Sequence, residues 1–160
     1  MPKRSEKKLL PYTSDQLFDL VADVGRYPEF LPWCIGARIY NQRPQRFDAD
    51  VIIGFKMFRE RFTSRVTLNP HKSVDVDYIS GPMKRLYNHW RFMDHEMGCI
   101  VDFEVDFEFD NPVLEKMIGK MFAEATDRMI DAFVERSHSL FGTWLLSNTW
   151  FAPIARISTG

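Results

Sequence analysis

An uninterrupted amphipathic helix from Asn111 to Phe141 places the strongest constraint on this chain. Asn111 can cap a helix, Pro112 suits its first turn and Gly142 supplies a stop. Apolar residues recur along one face at spacings of three and four, namely Leu114, Ile118, Met121, Phe122, Ala125, Met129, Ala132 and Phe133. At about 1.5 Å per residue the helix would be roughly 45 Å long, enough to cross a whole sheet. Something broad must cover its apolar face.

Composition favours one domain and excludes several classes of protein. The chain has 160 residues, 45% of them hydrophobic, which suits a single sizeable core. The formal net charge of -1 gives no global field toward nucleic acid or acidic membranes, although it leaves a local patch open. Cys34 and Cys99 lie far apart, which predicts buried thiols and no metal site. Without an apolar leader or a run of about 18 apolar residues, we expect a cytoplasmic protein, or one peripheral to the inner membrane.

The first third of the sequence predicts a strand, short helices and an aromatic segment. Arg4 to Leu9 reads as an edge strand, and the capping-box spacing of Thr13 and Gln16 predicts a helix from Ser14 to Ala22. Prolines then exclude a long helix while large apolar groups crowd together, at Tyr27, Pro28, Phe30, Leu31, Pro32 and Trp33. This segment is either a plug in the core or a lid.

Between residues 35 and 109 the hydrophobic period changes to two, which predicts strands. The six strands are Ala37–Tyr40, Asp48–Phe55, Glu60–Leu68, Val74–Ile79, Leu86–Met93 and Cys99–Phe109. Their turn-like connections imply hairpins and an antiparallel meander. We therefore predict an α+β fold in which a curved sheet of seven antiparallel strands wraps around the C-terminal helix, with two short helices between the first two strands. An aromatic and sulfur-rich cavity between sheet and helix is expected.

Candidate binding residues are the large apolar groups that this fold directs inward. They are Phe30, Leu31, Trp33, Phe55, Phe62, Trp90, Phe103, Met121, Phe122, Ala125, Met129 and Phe133, and ordinary core packing is the competing explanation for each. Arg136 shares the apolar face of the helix, where it either snorkels toward solvent or donates to a carbonyl or lipid headgroup. The other ionisable candidates, which include Arg91, form no catalytic or metal-binding pattern, and surface positions are expected for His71, His89, His95 and His138. Glu60 is expected to pair with Arg59, Arg61 or a neighbouring strand. Binding is therefore expected, and catalysis is not.

Four sequence blocks are similar to those of the coenzyme Q-binding protein family, within the START-like helix-grip superfamily. They are VGRYPEFLPWC at 24–34, GFKMFRERFTSRVTLNP at 54–70, GPMKRLYNHWRF at 81–92 and VDFEVDFEF at 101–109. The resemblance covers residues 3–141. It implies a START-like domain at 1–141. The tail at 142–160 lies outside the resemblance, and its apolar residues predict that it folds back, lies on a membrane interface or mediates association.

The resemblance also implies a function. A tunnel between the helix and the sheet would hold a prenylated quinone such as ubiquinone, and the protein would act as a lipid chaperone for respiratory electron transport without a required cofactor. The entrance would lie at Tyr27, Pro28, Pro32, Gly81, Pro82 and Met83. The implied partners are a hydrophobic small molecule and a membrane surface, with no DNA. Relatives described as ribosome-association toxins or as polyketide cyclase-like proteins leave a ribosome-binding module and, third, a cyclase as alternatives.

Overall fold

Seven antiparallel strands and one long helix form the framework of this protein, in a computed structural model that describes residues 3–55 and 57–142. The strands are β1 (Lys3–Leu10), β2 (Cys34–Arg43), β3 (Arg46–Phe55), β4 (Phe58–Asn69), β5 (Ser73–Ser80), β6 (Met83–His95) and β7 (Gly98–Phe109). The helices are α1 (Ser14–Ala22), a short 3-10 helix (Val24–Glu29) and α2 (Pro112–Phe141). The sheet order β1-β7-β6-β5-β4-β3-β2 confirms the predicted meander, with β1 and β2 at the edges. The predicted tail lies outside the described residues beyond Gly142.

Local sequence fixes the helix ends where the pattern predicted them. The Thr13 hydroxyl accepts a hydrogen bond from the Gln16 backbone at 3.1 Å, and the Gln16 side chain accepts one from the Thr13 backbone at 3.0 Å. The Asn111 carboxamide oxygen accepts from two backbone N–H groups in the first turn of α2, at 2.8 and 3.3 Å. Gly142, with φ 97°, donates back into the last turn. The strands extend up to three residues beyond the predicted bounds, because pairing continues where the alternation of apolar residues fades.

The core lies on the concave face of the sheet, between the sheet and the helices. Register places Trp90 opposite Phe103 and Phe92 opposite Val101, and all four side chains are buried. The Phe18 ring of α1 packs edge-on against Phe92 at 6.0 Å, so α1 closes one end of the curved sheet. Cys34 and Cys99 are free and buried, as predicted.

Helix α2 lies closer to the β1–β7 side of the sheet than to its β2 edge. The Arg4 guanidinium of β1 contacts the Ala123 carbonyl at 3.2 Å and the Asp127 carboxylate at 2.6 Å. The rings of Phe107 and Phe122 pack at 5.3 Å. Because one flank of the helix is held in this way, its other flank faces β2–β4 and the 3-10 helix.

The outer face of β2–β4 carries six exposed arginines, which we call the arginine face. Its members are Arg38, Arg43, Arg46, Arg59, Arg61 and Arg65. Two buried carboxylates lie beneath them: Asp48 accepts from Arg65 at 3.0 Å, and Asp50 accepts from Thr63 at 2.7 Å, Tyr40 at 2.9 Å and Arg38 at 3.0 Å. The bond from Thr63, with those from Tyr40 and Arg38, lowers the pKa of Asp50 despite its burial.

Replacing Asp50 by asparagine is expected to lower the free energy of unfolding by about 1–3 kcal/mol at neutral pH, because several bonds to an ionised acceptor are weakened. The pKa of Asp50 is lower in the folded protein than in the unfolded chain. The ionised carboxylate therefore contributes fully to the free energy of unfolding above the ordinary aspartate pKa of about 3.9, and this contribution is lost as the pH falls through the folded pKa. The difference between wild type and Asp50→Asn should therefore shrink below about pH 4. Urea unfolding at pH 7 and pH 2.5 measures it. Asp77→Asn, at an exposed position without an ion pair among the described residues, is the control. If wild type and Asp50→Asn differed equally in free energy of unfolding at both pH values, the ionised Asp50 carboxylate would not be the stabilising group.

Candidate functional site

The space between α2 and the sheet is closed at the α1 end. A cavity of about 40 Å³ remains there, with Leu17, Leu20, Val21, Trp90, Phe103 and Phe133 among its lining residues. This volume has room for only a few water molecules and is much too small for an isoprenoid chain. The packed wall at this end therefore contains three of the predicted binding residues, Trp90, Phe103 and Phe133.

At the other end of this space the apolar side chains of α2 and of the sheet remain partly exposed, and we call the space between them the open cleft. Helical phase turns Met121 and Ala125 away from the Arg4 contact of β1, whereas Ile118 and Met129 lie within about 40° of Phe122 and face the sheet. The opposing wall consists of concave-face side chains of β3–β6, namely Val51, Ile53, Phe55, Phe62, Val76 and Leu86. Every one of these residues is partly exposed and none is buried. The apolar surface on both sides is thus incompletely covered, and the space is an open cleft where the resemblance implied a tunnel.

The predicted aromatic segment divides into an inner plug and an outer rim. The rings of Tyr27 and Phe30 pack edge-on against Phe133 at 5.4 and 5.2 Å. Leu31 is buried in the same core. Trp33 instead adopts φ 66°, remains partly exposed, and packs edge-on against Phe55 at 5.8 Å. The plug alternative therefore holds for the inner residues, and Tyr27, predicted at the entrance, packs inside instead because its ring fits against Phe133. Trp33 lies at the outer rim.

The β5–β6 turn forms another part of the mouth. Gly81 has φ 141°, and a Cβ atom there would lie 2.7 Å from the Cβ of Phe62, so only glycine lets the turn approach this wall. Pro82 follows it, partly exposed. Met83 is buried and its backbone N–H donates to the Tyr78 hydroxyl at 3.0 Å. The turn thus lies beside the open cleft, where the sequence placed a rim loop.

Arg136 connects α2 to the aromatic segment instead of extending into solvent. Its Nη2 donates to the Glu29 carboxylate at 2.7 Å, and its guanidinium lies 5.0 Å from the centre of the Phe30 ring. The Arg136 side chain is 18% exposed and that of Glu29 is 48% exposed, so the guanidinium lies at the edge of the core and is paired there. Its Nε–H is buried and has no hydrogen-bond partner among the described residues. That donor is the group available for the predicted contact with a ligand.

The Ser64 hydroxyl, like the Arg136 Nε–H, is a buried donor without a partner among the described residues, and we call these two groups the orphan donors. Ser64 was not identified from the sequence. It is 2% exposed on the concave face of β4, opposite Ala49, and its hydroxyl has no partner among the described residues. A register shift between Thr63 and Ser64 makes the pairing with β5 irregular at this point. The available signal was a polar residue at an apolar position of an alternating strand, between Phe62 and Val66.

The Ser64→Ala variant is expected to unfold with a free energy equal to that of wild type or up to about 1 kcal/mol higher, because it removes a buried hydroxyl that has no partner. Ser14→Ala is the matched control. Ser14 is also buried, but its hydroxyl donates to Asp94 at 2.5 Å, so its loss should cost about 1–2 kcal/mol. Urea unfolding of both variants decides the matter. If Ser64→Ala were as destabilising as Ser14→Ala, the Ser64 hydroxyl would have a partner.

The remaining ionisable candidates lie away from the open cleft, with one exception. His89 contacts Asp75 and accepts from Arg91 at 2.7 Å on the outer face, and His71 pairs with Asp15 at 2.9 Å in the β4–β5 turn. His95, also on β6, accepts a backbone hydrogen bond at 3.0 Å. Only Glu60 lies on the concave face near the mouth, opposite Ile53 and partly exposed. Among the described residues, no group of three potential ligands could hold a metal ion.

Two histidines contradict the expectation of solvated positions. The side chain of His89 is only 14% exposed, because Tyr87 stacks parallel to it at 6.1 Å. His138 contacts the Tyr12 hydroxyl, and the Tyr12 ring also packs on Phe141 at 5.6 Å. The segment after β1 therefore covers a flank of α2 that helical periodicity alone assigned to solvent.

Comparisons with known proteins agree with this architecture. The chain is 40% identical over 134 residues to the "Ribosome association toxin RatA" of Rickettsia prowazekii, covering 81% of this chain and 92% of that protein. It is 30% identical over 136 residues to the mitochondrial "Coenzyme Q-binding protein COQ10" of Drosophila melanogaster, covering 82% of this chain and 56% of that protein. In residues 3–55 and 57–142, no helix is long and apolar enough to cross a bilayer.

Solved structures and a family model give the same assignment. An 18 kDa protein from Caulobacter crescentus is 38% identical, with a TM-score of 0.73 over 88% of this chain and 99% of that one. A START superfamily protein from Mycobacterium smegmatis shares the fold at 16% identity, with a TM-score of 0.70 over 87% of this chain and 97% of that one. The START-like helix-grip fold predicted from sequence is thereby confirmed. The model described as "Polyketide cyclase / dehydrase and lipid transport" matches residues 10–134. The chain therefore belongs to the polyketide cyclase/dehydrase and lipid transport family.

Proposed function

We propose that this protein binds a prenylated quinone such as ubiquinone in the open cleft and carries it without catalysing a reaction or requiring a further cofactor. The observation that supports this most directly is the pair of facing apolar walls whose side chains all remain partly exposed. A soluble protein gains by burying such surface, and an apolar ligand can cover both walls at once. The coenzyme Q-binding name of the Drosophila relative supports the choice of ligand.

Hydrophobic transfer can supply the affinity. Each buried methylene contributes about 0.8 kcal/mol, so one isoprene unit contributes roughly 3 kcal/mol before ordering costs. The tail would lie along the α2 wall, on Ile118, Met121 and Ala125. Because the closed end offers only about 40 Å³, the tail must occupy the open cleft, and its far end extends toward the mouth.

The two orphan donors favour a head group that carries acceptors. The Arg136 Nε–H can only donate and the Ser64 hydroxyl can donate, while the oxygens of a quinone accept. Neighbouring side chains seal both atoms from solvent, so a head group reaches them only after a side chain moves aside. A pure hydrocarbon would leave both donors unsatisfied, which costs free energy. We therefore expect the cleft to prefer a quinone over a hydrocarbon of equal length.

A carrier function also fits the ionisable groups beside the cleft. The family includes proteins described as cyclases and dehydrases, and such chemistry needs an acid or base held near the substrate. Of the ionisable candidates, Glu60 lies near the mouth, and Arg136 lies beside the Phe30 ring of the inner plug with its Nη2 bound to Glu29. Neither group forms a pair with a histidine among the described residues. The cleft therefore has the means to bind a ligand and few means to convert one.

Quinone uptake by the purified full chain tests the proposal. A ubiquinone with two isoprene units should co-elute with the protein in gel filtration and quench its tryptophan fluorescence. The matching tail without a quinone ring should bind at least tenfold more weakly. Absence of uptake of any prenylquinone would contradict the proposed function.

A second candidate function is association with the ribosome. The Rickettsia relative at 40% identity carries that name, and the arginine face supplies a basic surface that the whole-chain charge conceals. Cosedimentation with purified large ribosomal subunits at low salt, lost in moderate salt, would support it. Sedimentation that leaves the protein entirely in the supernatant at low salt would exclude it.

A further inference from the structure

We propose that the arginine face binds the phosphate backbone of RNA, independently of the ligand in the cleft. It lies on the opposite side of the sheet from α2, so neither surface needs the other. The inference rests on charge and register in β2–β4 and deepens the ribosome-association candidate, which uses the same surface, but it does not depend on the proposed quinone carrier.

Strand register gathers the six arginines on one surface. In the β3–β4 pair, Arg59 lies opposite Gly54, Arg61 opposite Ile52 and Arg65 opposite Asp48, all on the outer side. The β2–β3 pair adds Arg38 opposite Asp50 and the facing residues Arg43 and Arg46. Alternate residues of a strand are about 7 Å apart and neighbouring strands about 5 Å apart. The guanidinium groups therefore form a two-dimensional array about 20 Å long.

The charge of this array is not neutralised within the described residues. Six arginines and the two aspartates beneath them give a net charge of +4. The aspartates hold Arg38 and Arg65 in place, with N–O distances of 3.0 Å in each pair. The other four arginines, Arg43, Arg46, Arg59 and Arg61, are exposed and form no ion pair among the described residues. These four are available for phosphate oxygens, to which guanidinium groups can donate two bonds at once.

The rest of the outer face has the opposite character. The acidic side chains on β5 and β7 are Asp75, Asp77, Asp102, Glu104, Asp106 and Glu108. Arg85 of β6 is fully engaged there, contacting Asp106 at 3.0 Å and Glu108 at 2.5 Å. A polyanion is thus attracted to β2–β4 and repelled from the outer face of β7.

The distribution of exposed apolar residues favours RNA over a lipid surface. A protein that lies on a bilayer needs apolar side chains among its basic ones. Met57, 98% exposed, and Ile35, 46% exposed, lie near the β3–β4 hairpin, at one end of the array. No large exposed apolar side chain accompanies Arg43 and Arg46 at the other end, among the described residues. The array as a whole therefore suits a chain of phosphates.

Fluorescence anisotropy with a labelled 20-nucleotide single-stranded RNA tests the inference on the full chain. Four phosphate contacts predict that Kd rises about 50-fold between 50 and 200 mM salt. The quadruple variant Arg43→Gln, Arg46→Gln, Arg59→Gln, Arg61→Gln should bind at least tenfold more weakly at 50 mM salt. The control variant Lys3→Gln, Lys7→Gln, Lys116→Gln, Lys120→Gln removes the same number of exposed charges elsewhere and should stay within threefold of wild type.

Two results would overturn the inference. Equal losses in the two quadruple variants would show that only the overall charge matters. Binding to vesicles of phosphatidylglycerol and phosphatidylcholine, without measurable binding to the RNA, would assign the arginine face to a membrane. Because quinone uptake is measured separately, neither result depends on whether the cleft carries a ligand.

Discussion

Replacing Phe133 by alanine is expected to lower the free energy of unfolding by about 3–5 kcal/mol. Phe133 is 8% exposed, and its ring packs on those of Tyr27, Phe30 and Trp90 at 5.4, 5.2 and 4.9 Å. It is thus the point where α2, the aromatic segment and the sheet meet, and its removal leaves a cavity that none of these elements can fill alone. Urea unfolding followed by circular dichroism measures the change.

Phe122→Ala provides the comparison on the same helix. Phe122 is partly exposed and packs on Phe107 at 5.3 Å, so the same substitution should cost clearly less, about 1–2 kcal/mol. If the two variants lost equal stability, Phe133 would not be the junction of the core described above.

Replacing Ala125 by tryptophan is expected to weaken quinone binding at least tenfold while changing the free energy of unfolding by less than about 1 kcal/mol. Ala125 is partly exposed on the α2 wall of the open cleft, so an indole there occupies ligand space instead of overpacking a filled core. Titration of the two-isoprene ubiquinone against wild type and variant measures the first effect. Urea unfolding measures the second.

Ala123→Trp is the matched control, because it places the same ring on the same helix two residues away. Ala123 is exposed on the opposite flank, where its carbonyl accepts a bond from Arg4. This variant should bind quinone within threefold of wild type. Equal binding by wild type and Ala125→Trp would show that Ala125 does not line the ligand site, whereas equal losses in both variants would indicate a general disturbance of α2.

The elements that local sequence dictates were predictable. Asn111 caps α2 and the alternation from Cys99 to Phe109 forms β7, because capping and periodicity act over a few residues. The α+β fold class was predictable from these elements, since short connections between strands allow only a few sheet arrangements.

Features that depend on long-range register were not predictable. The near-zero net charge gave no sign of the arginine face, because Arg38, Arg46 and Arg61 come together only when β2, β3 and β4 pair. The partner of Arg136 lies 107 residues away, at Glu29. The orphan hydroxyl of Ser64 shows only once every neighbouring donor and acceptor is known. The division into a closed end and an open cleft likewise depends on the lateral position of α2, which Arg4 and Asp127 help to set.

Organic-solvent extraction of the gently purified full chain, followed by mass spectrometry, tests the central claim most directly. The account predicts that a prenylated quinone is recovered in an amount approaching one per chain, and that Ala125→Trp protein yields much less. Repeated recovery of no quinone, together with no uptake of added quinone, would contradict it.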